Sequence, residues 1–276
     1  MEGIHMKVGV NTFGLGKALH KDHEKVRQGL KKAGVTSIEP CIAFRPMPVL
    51  TQIFKPGLFD GVFPKDKTAA LIADLRRRGF DVYSFQLQNT PFDAEALKEA
   101  LPFMKENKLD FCVYSFMEAS VEKIQALAPE IRKAVEIFRT EGKTLLIHNH
   151  DMEWHTDGET SVMRWLLENI PELGFELDLG WTEYAGVDSV KLLREWPDRF
   201  PLLHFKEIAK DAKAWTGKPF CTAPGEGILP IDEILAETRN MPIDERAFII
   251  DQDDSIRGDI VEDIAQGIIN LSQRRH

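Results

Sequence analysis

The sequence predicts an α/β protein built as a closed (β/α)8 barrel, and three observations support this. Short apolar segments with strand character alternate with segments of helical spacing, in about eight pairs along the chain. The length of 276 residues is typical of such a TIM barrel. No linker rich in proline, glycine or serine divides the chain, so a single domain covering residues 1–276 is expected.

The first half of the chain supplies four strand and helix pairs. In the first pair a valine-bearing strand is followed by a helix in which Val26, Leu30 and Ala33 fall at helical spacing before Gly34. The predicted strands are 6–13, 35–40, 81–87 and 109–116, and the predicted helices are 20–33, 66–78, 93–107 and 121–140.

The second half repeats the alternation. Its predicted strands are 144–150, 173–181, 200–207 and 247–253, and its predicted helices are 161–169, 189–196, 231–239 and 260–271. A doubly wound open sheet is the alternative fold, but that class often carries GxGxxG after its first strand. Here Gly14 and Gly16 lack the third glycine.

Composition excludes several classes of protein. A formal net charge of −9 argues against a protein that mainly grips a nucleic-acid backbone. The three cysteines are far apart and form no CxxC pair, so a disulfide scaffold or a thiolate zinc site is not expected. No apolar run is long enough to span a membrane and no secretory signal is evident, so the expected location is the cytoplasm.

Ionisable side chains stand where five of the predicted strands end. They are Glu39, His148, His150, Asp178, His204, Lys206, Asp251 and Asp253. Side chains two apart on a strand share a face, so His148 and His150 can point the same way. In a barrel of this class all strand ends converge on one mouth, where the active site lies. Buried carboxylates and imidazoles are costly unless they bind a cation or form a satisfied network, so a divalent metal is expected.

Five motifs carry a family resemblance: "IHNHDMEW", "ELDLGW", "LLHFKE", "PGEGILPID" and "FIIDQD". In this order they resemble the sugar phosphate isomerase/epimerase family, the xylose isomerase-like TIM barrels that also include endonuclease IV relatives. The resemblance implies one divalent cation, often manganese, held by a glutamate, an aspartate, a histidine and a glutamate from the fifth to eighth strands. By motif, the second and third of these ligands correspond to Asp178 and His204.

The other two ligand positions depart from the family pattern. His148 stands at or beside the fifth-strand glutamate, with Glu153 as a substitute a few residues later, and Asp251 replaces the eighth-strand glutamate. The expected metal ligands are therefore His148, Asp178, His204 and Asp251. An imidazole in place of a carboxylate shifts the preference from magnesium toward manganese, the first expectation, or cobalt, iron or zinc.

The resemblance implies an isomerase or epimerase acting on a sugar, or a sugar-like polyhydroxy carbonyl compound, through an enediolate. Glu153 and Glu39 are the candidate bases, His150 is an alternative acid/base, and Lys206 is expected to stabilise oxyanion charge. A dehydratase acting on a keto-sugar or keto-inositol would use the same intermediate and remains open.

Two alternatives belong to other classes of function. An endonuclease of the endonuclease IV type needs more histidine and acidic ligands and a basic rim. A non-catalytic metabolite-binding barrel is the second alternative, suggested by the altered ligand positions. The expected partner is a small sugar or a sugar phosphate, with "PGEGILP" as a candidate phosphate site. Self-association is also considered, because the apolar segment 41–63 suits either a lid or a subunit contact.

Overall fold

The structure, a computed structural model, describes residues 7–46, 57, 59–213, 219–243 and 246–274. Eight parallel strand segments alternate with helices along this part of the chain. The barrel strands are β1 (Gly9–Asn11), β2 (Ser37–Glu39 continued by Cys41–Ala43), β3 (Ser84–Gln88), β4 (Phe111–Tyr114), β5 (Thr144–His148), β6 (Gly174–Asp178), β7 (Leu202–Phe205) and β8 (Phe248–Ile250).

The barrel closes through β2, which is split at Pro40. Its first half pairs with β1, and its second half pairs with β3 through Cys41 and Gln86. A further parallel bridge joins Ser37 to Asp81, just before β3. Since β8 pairs with β1, every barrel strand has a neighbour on both sides. The expectation of an α/β (β/α)8 barrel is confirmed.

Along each strand, side chains point alternately to the outside and the inside of the barrel. The outward positions are apolar, and the inward positions form one apolar layer and one polar layer. Outward residues such as Ile147 and Phe175 pack against the helices in the main core. Inside the barrel, Leu146, Leu202 and Ile249 belong to a smaller apolar cluster at the amino-terminal end. The next inward positions toward the carboxyl end are occupied by buried polar side chains. They are Glu39, His148, Glu176, Asp178, His204 and Asp251.

Helices surround the barrel. They are Gly16–Lys21, His23–Ala33, Lys65–Arg77, Ala94–Lys98, Ala100–Glu106, Val121–Thr140, Val162–Asn169, Leu179–Tyr184, Ser189–Glu195, Ile231–Thr238 and Ile260–Arg274. A 3-10 helix spans Met152–Trp154. Among these helices none has the length and apolar character needed to cross a membrane.

Short additional strands lie around the mouth of the barrel. Val62–Pro64 pairs in parallel with the second half of β2. Two antiparallel pairs join Thr156–Asp157 to Thr160–Ser161 and Ile208–Lys213 to Pro219–Cys221. The segment 41–63, expected to act as a lid or a subunit contact, is described only in part, because residues 47–56 and 58 lie outside the described residues.

Most predicted elements differ by a few residues at their ends, and three of the differences have a clear local reason. The helix predicted at 20–33 is interrupted by Asp22, whose side chain accepts from Lys25 N and caps the second piece. The helix predicted at 93–107 breaks at Glu99, because Pro102 has no N–H to continue the ladder. The strand predicted at 173–181 ends at Asp178, which caps the following helix by accepting from Trp181 N.

Candidate metal centre

Four side chains from adjacent strands meet at the carboxyl end of the barrel. They are His148 of β5, Asp178 of β6, His204 of β7 and Asp251, which follows β8, and one ligand atom from each lies within 4.8 Å of the others. His148 Nε2 is 3.8 Å from Asp178 Oδ2, and His204 Nδ1 is 3.5 Å from Asp251 Oδ2. All four are buried. The structure thus brings together the four residues that the family motifs point to.

The donor atoms of this group suit a divalent cation. Within the described part of the chain, Asp178 Oδ2, Asp251 Oδ1 and His204 Nδ1 are buried and lack an aligned hydrogen bond. Buried polar atoms are normally satisfied, so unsatisfied atoms facing one point indicate a missing positive partner. Two imidazoles with two carboxylates form a donor set that zinc, manganese, cobalt and iron accept. The residues therefore fit a metal ion.

Beneath the four lies a second acidic group that touches both histidines. Glu176 Oε2 is 3.2 Å from His148 Nδ1, and Glu176 Oε1 is 3.1 Å from His204 Nε2, although not aligned with its N–H. That N–H lies 3.3 Å from Glu39 Oε2 instead. Carboxylates in these positions keep the protons on His148 Nδ1 and His204 Nε2. The remaining lone pairs, on His148 Nε2 and His204 Nδ1, then face the centre.

The two lower carboxylates differ in charge. Burial raises the pKa of Glu39 to about 8, and the neighbouring Glu176 acts in the same direction. Burial also acts to raise the pKa of Glu176, but His204 and His148 outweigh it and hold that pKa below its ordinary value. Glu39 is therefore the weaker acid of the two, and Glu176 is the one whose charged form the histidines favour.

The charges of the upper groups depend on burial and on one another. Burial raises the pKa of Asp178 to about 6, against the attraction of Lys206. Burial acts likewise on Asp251, but Lys206 and His204 hold its pKa below the ordinary value. Burial acts to lower the pKa of His204, yet the carboxylates around it, led by Glu176, hold it well above its usual range. A bound cation would take the place of the proton on His204.

A cavity of about 480 Å³ opens above the centre, within the usual range for small-molecule sites. His148 and Asp251 form part of its floor, and His150 and Lys206 line its wall. Lys206 is buried, with Nζ 2.9 Å from Asp251 Oδ2 and 3.1 Å from Asp253 Oδ2. The expected site residues His150 and Lys206 thus face the same space as the candidate ligands.

Aromatic and amide side chains complete the wall. The Trp181 ring lies 5.6 Å from Lys206 Nζ and 6.4 Å from the His150 ring centroid. Other lining residues come from the first two loops, from β3 and the loop after it, and from the end of β4. They include Phe13, Phe59, Gln86, Gln88, Asn89, Thr90, Tyr114 and Met117. This mixture is suited to a compound with both hydroxyl groups and C–H faces.

The two glutamates expected as bases are placed behind the cavity wall. Glu39 is 1% exposed and sits below His204, and neither it nor Glu153 belongs to the lining. Glu153 Oε2 accepts from the backbone N–H of His150 at 2.9 Å and lies 4.0 Å from His150 Nδ1. Burial raises the pKa of Glu153. In this arrangement His150, and not Glu153, is within reach of a bound molecule.

Asn149 fixes the spacing between β5 and β6. Its Oδ1 accepts from Asp178 N at 2.9 Å, and its Nδ2 donates to Asp178 O at 3.3 Å and to Thr182 Oγ1 at 3.2 Å. The side chain therefore continues the strand pairing by one residue after β5 has ended. His148 and Asp178 are held at a set distance by protein bonds alone.

Three functional positions are not evident from strand ends alone. From the sequence, Glu176 could be identified only as a residue on the same strand face as Asp178. Its contact with both histidines depends on the register of β6 against β5, in which Glu176 is paired with His148. Gln86 Nε2 donates to Glu176 Oε2 at 3.1 Å. Asp253 was identified at a strand end, but its pairing with Lys206 is evident only from the fold. The available signal for Gln86 was the alternation along β3, where Ser84, Gln86 and Gln88 share one face of the strand.

No protein-family model matches the sequence, and no curated protein sequence matches it. Solved structures do match. A sugar phosphate isomerase/epimerase from Parabacteroides distasonis superposes with a TM-score of 0.70 at 18% identity, over 99% of this chain and 95% of that one.

Two further solved structures show what similar barrels contain. A xylose isomerase-like TIM barrel protein from Mycobacterium smegmatis, in complex with magnesium, has a TM-score of 0.62 at 12% identity over 100% of this chain and 98% of that one. The probable 3-DHS dehydratase of petrobactin synthesis from Bacillus anthracis has a TM-score of 0.63 at 16% identity over 98% of this chain and 100% of that one.

At these identities the likeness establishes the fold. The expected resemblance to sugar phosphate isomerase/epimerase and xylose isomerase-like barrels is confirmed in three dimensions, over nearly the whole chain. The chain has the xylose isomerase-like TIM-barrel fold, with a buried cluster of histidine and aspartate side chains that could hold a metal at the position where such barrels have their active sites.

Proposed function

We propose that the chain is a divalent metal-dependent isomerase or epimerase that acts on a sugar or sugar-like polyhydroxy carbonyl compound. One observation carries the proposal: the ligand atoms of His148, Asp178, His204 and Asp251 converge at the floor of a cavity large enough for such a molecule. The solved structures that share the fold include isomerases or epimerases and a dehydratase, which supports the class of chemistry.

The metal ligands are proposed to be these four residues, with manganese as the first candidate. A divalent cation bound there would polarise the substrate carbonyl and acidify the neighbouring C–H. The structure of the barrel protein with magnesium, and that of a protein of the same fold with a bound zinc, make those ions the alternatives to test. Two imidazoles favour the softer ions over magnesium.

His150 is proposed as the acid–base residue. Its side chain is 27% exposed at the cavity wall, with the Glu153 carboxylate 4.0 Å behind Nδ1. An imidazole nitrogen takes the proton from the carbon next to the carbonyl, while the C–H electron pair moves toward the carbonyl oxygen. The buried Glu153 then stabilises the imidazolium. Delivery of the proton to the former carbonyl carbon gives an isomer, while the hydroxyl proton of the first carbon passes to the former carbonyl oxygen. Delivery of a proton to the opposite face of the original carbon gives an epimer and requires a second proton donor on that side.

Lys206 is proposed to stabilise the oxygen on which negative charge develops. Its ammonium group is buried, lines the cavity and is held by Asp251 and Asp253. Burial acts to lower its pKa, but these two carboxylates hold it well above the usual range, so the group stays charged. A fixed positive donor at the site of charge development is worth more in a water-poor cavity than in solvent.

A dehydratase is the second candidate, and it is favoured by the shared fold of the probable 3-DHS dehydratase. The same proton abstraction would be followed by loss of a hydroxyl group one carbon further away. An assay of proton exchange tests the step that both reactions share, and product analysis separates them.

The first experiment measures metal content and solvent deuterium exchange in the same preparation. Protein purified without chelators is analysed for metals, reloaded with manganese, and incubated with ketoses in deuterium oxide while proton NMR follows the signal next to the carbonyl. We expect about one metal per chain and exchange in at least one ketose. The proposal would be contradicted if the protein retained no metal after loading, or if it catalysed deuterium exchange in none of the ketoses.

Asp178→Asn provides a sharp test of the ligand set. Asparagine keeps the oxygen that caps Trp181 N, so the helix Leu179–Tyr184 is retained while the negative charge is lost. We expect metal retention to disappear with the melting temperature of the metal-free protein little changed. Asp188→Asn is the matched control, because Asp188 caps the helix Ser189–Glu195 in the same way and is not among the ligands.

A further inference from the structure

We infer that the substrate is an uncharged polyhydroxy carbonyl compound, and not a sugar phosphate. This rests on the proposed function and narrows its substrate class. It differs from the sugar phosphate that the motifs led us to consider. Three features of the described residues support it: the site where a phosphate was expected is filled, the one ammonium of the wall is neutralised, and the recognition groups are of the kind that bind hydroxyls.

The loop expected to bind phosphate is occupied by the chain's own carboxylate. Glu207, 1% exposed, accepts from Gly225 N at 2.8 Å and from Leu229 N at 2.9 Å, both within or beside "PGEGILP". A Cβ on Gly227 would lie 2.4 Å from Glu207 Oε1, so the loop backbone is wrapped closely around this group. Backbone amides that serve an internal carboxylate are not available to a ligand phosphate.

The neighbouring loop after β8 is acidic where a barrel of this class often binds phosphate. Asp253 lines the cavity and Asp254 follows it, accepting from Cys221 N at 2.8 Å. The nearby Arg257 is turned to Glu226 and Asp263. Neither loop presents an unneutralised cation to the cavity within the described residues.

Lys206 is the one lysine or arginine among the described lining residues. Two aspartates hold its ammonium group, at 2.9 and 3.1 Å, so this part of the wall is negative overall before any cation binds. A phosphate dianion placed near Lys206 would also be placed near both carboxylates. Like charges at such distances repel strongly in a partly buried site.

The remaining polar groups of the wall match hydroxyl groups. Gln88, Asn89 and Thr90, at the end of β3 and after it, line the cavity. Asn89 Nδ2 donates to Pro46 O and Thr90 Oγ1 donates to Gln88 O, so the oxygens of these two side chains serve as acceptors. Amide and hydroxyl side chains donate and accept, as a sugar hydroxyl does, whereas a phosphate only accepts at neutral pH. The rings of Trp181 and Phe13 on the same cavity supply apolar faces for C–H edges. The wall is therefore built for neutral, hydroxyl-rich molecules.

The test compares matched pairs on manganese-loaded protein: fructose and ribulose, each with its terminal phosphate ester. Binding is measured by calorimetry and deuterium exchange by NMR. We expect the free ketoses to bind, with affinities and kcat/KM values about 100-fold above those of their esters, because Asp253 repels the ester and Lys206, already held by two carboxylates, attracts it little. Tighter binding of the esters, or no binding of either free ketose, would overturn the inference. Exchange in the esters alone would overturn it while the proposed function stands.

Failure of the proposed function is recognised separately, because free ketoses that bind without exchange would contradict the function and support the substrate class. Asp253→Asn tests the electrostatic cause. We expect the preference for the free ketose over its ester to fall about tenfold when this carboxylate is neutralised. Asp254→Asn, with the same charge change one residue further along and outside the lining, is expected to leave the preference unchanged. An unchanged preference in Asp253→Asn would overturn the assignment.

Discussion

Substitution of Glu176 by glutamine is predicted to weaken metal binding through one identifiable histidine. The Oε2 position of residue 176 faces two donors, Gln86 Nε2 at 3.1 Å and His148 Nδ1 at 3.2 Å. In the variant the amide oxygen must take that position. The amide nitrogen is then left 3.1 Å from His204 Nε2, so that two donors are in close opposition and the attraction of the carboxylate for the His204 ring is lost.

The expected loss follows from the contact that disappears. A buried contact between an N–H and a charged acceptor contributes roughly 1.5–3 kcal/mol, and loss of a carboxylate behind a ligand histidine typically lowers metal affinity about 10- to 100-fold. We expect a loss within that range. His204 should move its proton or rotate to relieve the opposition, which takes the Nδ1 lone pair away from the centre.

Calorimetric titration of the metal-free variant with manganese measures the affinity, and imidazole nitrogen NMR reports the tautomer of each histidine. We expect the His204 signals to change and the His148 signals to stay. Glu172→Gln is the control, because Glu172 is the same residue type on the surface and pairs with Arg132. Unchanged metal affinity in Glu176→Gln, or a change confined to His148, would refute the reasoning.

Three further predictions concern the rest of the barrel. Arg199→Lys should lower the free energy of unfolding by about 2–3 kcal/mol in urea titrations. Arg199 donates to three backbone carbonyls at 2.8 Å each, and lysine cannot reach all of them. A change in the free energy of unfolding below about 0.5 kcal/mol would contradict this prediction. Burial raises the pKa of Glu207 to about 7, so in the unfolded chain this carboxyl loses its proton at lower pH than in the folded chain. Its contribution to stability is therefore complete below the unfolded pKa and is lost as the pH rises to about 7, by roughly 3 kcal/mol. Glu207→Gln should lack this slope when unfolding is measured across the same pH range. Finally, a thiol reagent at mildly alkaline pH should label no cysteine of the folded protein. All three cysteines are buried, and burial raises the pKa of the Cys221 thiol to about 12. Rapid labelling would show that the fold opens locally.

The order of strands and helices was predictable because each barrel strand is a short apolar run and each helix has its own periodicity. The prediction was less accurate where one side chain decides an end. Asp22 and Asp178 act as caps, and their effect depends on backbone geometry that periodicity does not reveal. The split of β2 at Pro40 also depends on pairing with two different neighbours.

The candidate ligands were predictable because a charged side chain inside an apolar strand is conspicuous. The depth at which each side chain lies along the barrel axis was harder to predict. Glu39 and Glu153 are close in sequence to strand ends, yet both lie behind the cavity wall. Glu207 shows the same limit: the sequence places it near a glycine-rich loop, but only the fold shows that the loop encloses it. The single-domain organisation and the state of assembly stay predictions.

The bonds that Asn149 makes to Asp178 and Thr182 bear on how the protein would acquire its ion in a cell. Since they hold the strands of His148 and Asp178 together without help from a cation, the proposed metal site would be formed before any ion binds. A departing ion would leave the scaffold intact and ready to take another. Occupancy would then follow the supply of each metal at the time, and a change in that supply could alter the working ion of protein molecules already made.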